Sequence, residues 1–248
     1  MRSILAATAF LLVVIVFSLI YKLPAKFIYQ QFSEASPVRL SGISGSIWSG
    51  QAETIDSGEA IFSGLSWQLS PWALLVGDID VQCMLNDPAI MIEANITISG
   101  EQIDMTGIKG HIDLIELGSR FSKQEVLLGG GIDIDIAGLR IENNKLLNIE
   151  GSMIWKQAQL FAERNIKLGD FKAEFFSKSG ALLTKLSDTG GAVALQSDVM
   201  ISLQGTYRYD LEVGIRDTSV PGLLDGFSQL GKPDENGKVS LSGNGNLF

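Results

Sequence analysis

The chain has 248 residues, 19 Lys and Arg against 28 Asp and Glu, and a net charge of −9 with a pI near 4.7. No basic cluster interrupts it, so nucleic acid is excluded as a partner, and tight adsorption to an anionic lipid surface is disfavoured. The single cysteine, Cys83, excludes an internal disulfide, and an apolar share of 46% excludes a chain that is mostly disordered.

Ile4 to Tyr21 runs eighteen residues without a charged side chain. As a helix rising about 1.5 Å per residue, that segment spans roughly 27 Å, close to the hydrocarbon thickness of a bilayer. A helix is also the form that satisfies every backbone polar group within the segment. A single transmembrane anchor bounded by Ile4 and Tyr21 is therefore expected, with Tyr21, Lys22 and Lys26 at the interface. A cleaved signal peptide fits less well, because the apolar run is long and Leu23-Pro24-Ala25 lacks the small-x-small pattern. Pilin-type processing fits poorly too, since no carboxylate precedes Glu34. Arg2 lies before the segment and Lys22 and Lys26 after it, so charge alone does not orient the anchor. Residues 1–33 thus read as stub, anchor and juxtamembrane segment, and residues 34–248 as one β-rich domain.

Beyond the anchor the hydrophobic period is two. Ile92, Ala94, Ile96 and Ile98 alternate with Glu93, Asn95 and Thr97; Ile132, Ile134 and Ile136 alternate with Asp133 and Asp135. Tyr207, Tyr209, Leu211, Val213 and Ile215 form a third such run, and Val239 and Leu241 a fourth. One apolar and one wet face per segment predicts antiparallel sheet packed on one side. Cys83 falls on the apolar side of Ile79, Val81, Cys83, as a buried, inert thiol would. Glycines from Gly100 to Gly205 punctuate the runs as turns and bulges. Only Pro71–Val76, Leu114–Lys123 and Gly222–Leu230 carry short helical patterns. The fold class is all-β: an N-terminal transmembrane helix followed by a large antiparallel β domain. An outer-membrane barrel is rejected, because most runs are short and aromatics make up only 8% of the chain.

Gly45-Ser46-Ile47-Trp48-Ser49-Gly50-Gln51-Ala52 is echoed by Gly151-Ser152-Met153-Ile154-Trp155-Lys156-Gln157-Ala158. Leu75-Val76-Gly77-Asp78 and Lys167-Leu168-Gly169-Asp170 follow each in turn, at unequal spacing. Two related β halves, 34–120 and 121–248, are the expectation from this echo.

No constellation of residues carries chemistry. The one histidine, His111, shares a wet strand face with Asp113, and no further ligand or nucleophile is marked. Asp78/Asp80 and Asp133/Asp135 sit on strands, whereas calcium needs oxygens converging from a turn. Gly129-Gly130-Gly131 is not followed by the Lys-Ser/Thr of a phosphate loop. Asn95-Ile96-Thr97 matches a glycosylation sequon but lies inside a strand. No catalytic, metal or cofactor site is assigned, and the chain does not read as an enzyme. Trp48 and Trp155 are candidate contact residues, since tryptophan is enriched at interface hot spots. The competing reading for both is structural packing.

The stretch Val38-Arg39-Leu40-Ser41-Gly42-Ile43-Ser44-Gly45-Ser46-Ile47-Trp48-Ser49-Gly50-Gln51-Ala52 resembles the hallmark of the type II secretion system protein N family. Leu23-Pro24-Ala25 after an apolar segment, Ser66-Trp67-Gln68-Leu69-Ser70-Pro71 with Leu74 to Asp78, and Gly151 to Ala158 extend the resemblance over essentially the whole chain. The resemblance implies a single-pass protein of the Gram-negative inner membrane, its N-terminus cytoplasmic and its β domain periplasmic. It implies an accessory subunit of the machine that exports folded proteins across the outer membrane, with other subunits of that machine as partners. The alternative function is an envelope carrier for an apolar ligand such as lipid, as in AsmA-like proteins.

Overall fold

A computed structural model describes residues 22–32, 36–121, 126–161, 165–178, 180–220, 222–228 and 230–246. The expected anchor from Ile4 to Tyr21 lies outside them, and among the described residues no helix is long and apolar enough to cross a membrane. The strands are β1 (Arg39–Ser41), β2 (Ser44–Gly45), β3 (Ser49–Asp56), β4 (Ile61–Leu69), β5 (Ile79–Asn86), β6 (Ile90–Ser99) and β7 (Gln102–Asp113). After a break come β8 (Leu127–Glu142), β9 (Lys145–Phe161), β10 (Asn165–Lys178), β11 (Ala181–Gly190), β12 (Val193–Ser202), β13 (Thr206–Ile215) and β14 (Lys238–Asn246). Four short helices accompany them: α1 (Ala25–Phe32), α2 (Pro71–Leu74), α3 (Leu114–Gly118) and α4 (Leu223–Ser228).

All fourteen strands belong to one sheet. From β3 onward each strand pairs antiparallel with the next in sequence, while β1 and β2 both pair with β3. The turns follow from local chemistry. Asn143 and Asn144 join β8 to β9 with φ of 49° and 60°, the left-handed pair that a two-residue hairpin loop needs and that asparagine tolerates. The all-β, antiparallel reading therefore holds for the described residues. The three helical patterns appear as α2, α3 and α4, each shorter than its pattern. Helix α1 does not follow from the sequence patterns: at eight residues it is too short to show a convincing period.

Register shifts fall next to one another on four strands: between Gly129 and Gly131 on β8, around Ala158 on β9, from Lys167 to Phe171 on β10, and between Asp188 and Gly190 on β11. Bulges bend strands and sharpen their twist, so aligned bulges crease the sheet along this line. The backbones come so close there that side chains are barred. A Cβ on Gly169 would sit 2.3 Å from the Gly190 carbonyl oxygen and 2.7 Å from Gly191 Cα. Gln157 takes φ 51° in the same line, its N–H donated to Asp170 Oδ1 at 2.6 Å.

The interior departs from a compact core. Buried apolar residues are mostly small, and no large side chain among the described residues is fully buried. One local cluster forms at the C-terminal end, where Phe227 of α4 covers Val193, Val213 and Val239. The apolar share of the sequence suffices for a core, but its large side chains are spread along one sheet and stay half-buried instead of converging on one centre.

Gly169→Ala is expected to cost about 2 kcal/mol, from positive-φ strain plus backbone contact, and to lower the melting midpoint by on the order of 5 °C. Gly138→Ala, where nothing lies within 4 Å of the added carbon, is the control. Equal midpoints for the two would refute the crease as a strict steric requirement.

Candidate functional site

The feature with functional potential is the apolar face itself. Register places its side chains in rows that cross the sheet. Leu65 faces Leu85, which faces Ile92. Across Gly110, Ile134 faces Met153, which faces Ala173, which faces Leu186. Beyond Ser197, Leu211 faces Leu241. These apolar side chains are half-buried, and at the C-terminal end Leu211 and Leu241 pack against the cluster that Phe227 of α4 joins. Cys83 belongs to this face, opposite Trp67 and Ala94. It is half-buried, and burial pushes its thiol pKa up, which fits an unreactive group.

The two candidate contact tryptophans occupy different settings. Trp48 lies in the turn between β2 and β3, half-buried, with its carbonyl accepting the Leu69 N–H at 2.7 Å. Trp155 lies inside β9 at the crease, directly opposite Ile132 and Phe171. Its ring centroid is 6.0 Å from that of Phe171 at 45°, and its Nε1–H donates to the Gly129 carbonyl at 3.0 Å. A comparable bond is made in the first half by Trp67, whose Nε1–H donates to the Ile47 carbonyl at 3.2 Å. The echo in sequence thus pairs Trp48 with Trp155, while the indole geometry pairs Trp67 with Trp155.

A polar junction ties the β5–β6 turn to β4 and α3. Asp87 is 5% exposed. Its Oδ2 accepts the Ser63 N–H at 2.7 Å and the Ser63 hydroxyl at 2.9 Å; its Oδ1 accepts the Ala89 N–H at 2.8 Å and meets Arg120 at 2.7 Å. Arg120 also donates to the Ile61 carbonyl at 2.9 Å and lies 5.4 Å from the Phe62 ring centroid. Burial pushes the Asp87 carboxyl up, yet the Arg120 guanidinium and the Ala89 and Ser63 donors together hold it down to about 2. Nothing in the sequence singled out Asp87 or Arg120; only the Asp87-Pro88 turn signal marked the place.

On the opposite face the charged residues pair along and across strands. Asp133 bonds His111 Nδ1 and Lys156 Nζ, each at 2.6 Å, and these two partners, Lys156 foremost, hold its carboxyl below the usual range. Arg140 meets Asp104 at 2.6 Å. Asp113, expected on a wet face beside His111, instead caps α3, accepting the N–H groups of Ile115 and Glu116 at 2.9 and 3.0 Å. Among the described residues no group of three or more His, Cys, Asp or Glu side chains could hold a metal ion.

Comparison with known proteins supplies what geometry does not. The family described as "Type II secretion system (T2SS), protein N" matches residues 36–242. The chain is 23% identical to the type II secretion system protein N of Vibrio cholerae serotype O1 over 248 aligned residues, covering 94% of this chain and 95% of that protein. No solved structure matches.

The Asp87 carboxyl titrates lower in the folded chain than in the unfolded one. Its contribution to stability is therefore complete above about pH 4 and is lost as pH falls towards 2. Asp87→Asn is expected to cost about 3 kcal/mol at pH 7, on the order of 10 °C in melting midpoint, because Arg120 loses its closer and more buried carboxylate and keeps the exposed Glu116 at 3.5 Å. The gap between wild type and variant should narrow from pH 4 to pH 2, and a gap independent of pH would refute the assignment.

Proposed function

We propose, for a chain that belongs to the type II secretion system protein N family, that its β domain stands on the periplasmic side of the inner membrane as an accessory, non-catalytic subunit. Family membership makes it a component of a type II secretion system. On our reading the anchor from Ile4 to Tyr21 holds it in the inner membrane with its N-terminus cytoplasmic. The sheet then presents surfaces to other secretion subunits during export of folded proteins from the periplasm across the outer membrane. Trp48, in its half-buried turn, is the contact residue we favour; Trp155 is committed to the crease. The division into halves 34–120 and 121–248 belongs to the same reading. It falls at the break after α3, and β7 and β8 pair across it, so the halves share one ladder.

The observation that carries this reading is the extent of the match: residues 36–242 take in every strand up to most of β14, not one short motif. A second reading is favoured by a specific feature. A sheet whose apolar rows cross from β4 to β14, covered by α4 only at the C-terminal end, offers a run of half-buried surface to an apolar ligand such as an acyl chain.

An in-frame deletion in the native host is expected to retain folded exoproteins in the periplasm, reversed by complementation, with outer-membrane leakage unchanged. Normal export would refute a required role in secretion. For the second reading, a photoreactive phospholipid incorporated in cells is expected to label peptides from β5 to β10, and Ile134→Asn to weaken that labelling. Label confined to the Ile4–Tyr21 segment would remove it.

A further inference from the structure

Strand β14 is the last in the sheet, and among the described residues one side of it has no partner strand. In an antiparallel ladder, alternate residues direct their N–H and C=O to opposite sides. Lys238 shows which set points outward here: its N–H donates to Asp234 Oδ1 at 2.8 Å and its carbonyl accepts the Asp234 N–H at 2.7 Å. The turn that begins at Asp234 thus occupies the first outward position of the edge. By alternation the groups of Ser240, Ser242, Asn244 and Asn246 also face outward, and the unbroken β13–β14 register keeps that phase to the strand's end.

This open stretch lacks the devices that blunt an edge. From 240 to 246 it holds no charge, no proline and no bulge, over roughly 24 Å. On its apolar side Leu241 is followed by Gly243 and Gly245, and the rings of Tyr209 and Tyr207 lie across those glycines. A Cβ on either glycine would come within 2.8 Å of the facing tyrosine ring or hydroxyl. The two rings stack at 6.5 Å and 14°.

We propose that β14 pairs antiparallel with β14 of a second copy of this chain, centred on Gly243. The edge is self-complementary in that register. Ser240 meets Asn246 of the second copy and Ser242 meets its Asn244, so all four outward residues on each side are used and roughly eight hydrogen bonds form. Leu241 falls opposite Gly245 of the second copy, beside the Tyr207 ring that crosses it. Gly243 falls opposite Gly243, so no side chains collide at the two-fold axis. Sliding by two residues would bring in Lys238, whose backbone groups the Asp234 turn already holds. The flanking polar side chains, Ser and Asn, carry no charge, so the net charge of −9 is not concentrated at the contact. The two-fold axis stands normal to the sheet, so both copies keep their apolar faces on the same side. The rows of apolar side chains would then run from one copy into the other.

The test is made on the full chain in detergent, with Cys83→Ser as background. Wild type is expected to show two chains per particle by light scattering at up to about 100 μM, a range suited to an interface below about 1,200 Å². Asn244→Pro removes an outward N–H without touching the β13 ladder and is expected to give a monomer with an unchanged melting midpoint, whereas Asn244→Ala stays dimeric. Mixing Ser242→Cys protein with Asn244→Cys protein and oxidising should give a cross-linked dimer in far higher yield than either protein alone. A monomeric wild type overturns the proposal and leaves the edge to a strand of another protein. A dimer indifferent to Asn244→Pro, or cross-linking as strong in each single variant, overturns it as well.

Discussion

The hydrogen-bond ladder of a single sheet holds this molecule together. With no large side chain fully buried among the described residues, the usual contribution of a closed core is small, and the strands depend on the neighbours to which they are bonded. Register then matters more than packing. A slip of one residue would move every apolar side chain of a strand to the wet face and break the rows that cross the sheet. The positions that set register are accordingly the least replaceable: the Asn143-Asn144 turn, and the glycines at the crease where backbone meets backbone.

A ladder of this kind must be ended and fastened locally, and the short elements do so. Phe227 of α4 caps the apolar face at Val193, Val213 and Val239. The Asp87–Arg120 junction fastens α3 and the β5–β6 turn to β4 with a charge held among four donors. At the first edge β1 and β2 cover parts of β3, and the Ile47 N–H donates to the Leu23 carbonyl at 3.1 Å, so the chain leaving the expected anchor is tied straight to the sheet. Among the described residues the last edge is met by the Asp234 turn.

Much of this was legible in the residues. Strict alternation in segments such as Ile92–Ile98 and Tyr207–Ile215 identified strands because the period of two follows from backbone geometry alone. Short helices were legible only as patterns. Leu114–Lys123 yields Leu114–Gly118, followed by a turn in which Arg120 reaches Asp87, a partner distant in sequence. The words around Trp48 and Trp155 echo each other in sequence, yet one lies in a turn and the other in a strand interior. A short phrase of sequence does not record what lies across from it in the sheet.

By itself the sequence determined the strand content, the two-faced character of each strand, the absence of a basic surface, and the apolar segment from Ile4 to Tyr21. It also carried the family, through motifs spread over the chain. Only the tertiary structure decided that β3 to β14 form one meander within a fourteen-stranded sheet, that the bulges align into a crease, and that most of the apolar face stays half-buried, with α4 covering it at the C-terminal end. The physical reason is that alternation fixes which way each side chain points. Whether another layer arrives to cover it depends on the direction in which the chain keeps adding strands, and no local pattern encodes that direction.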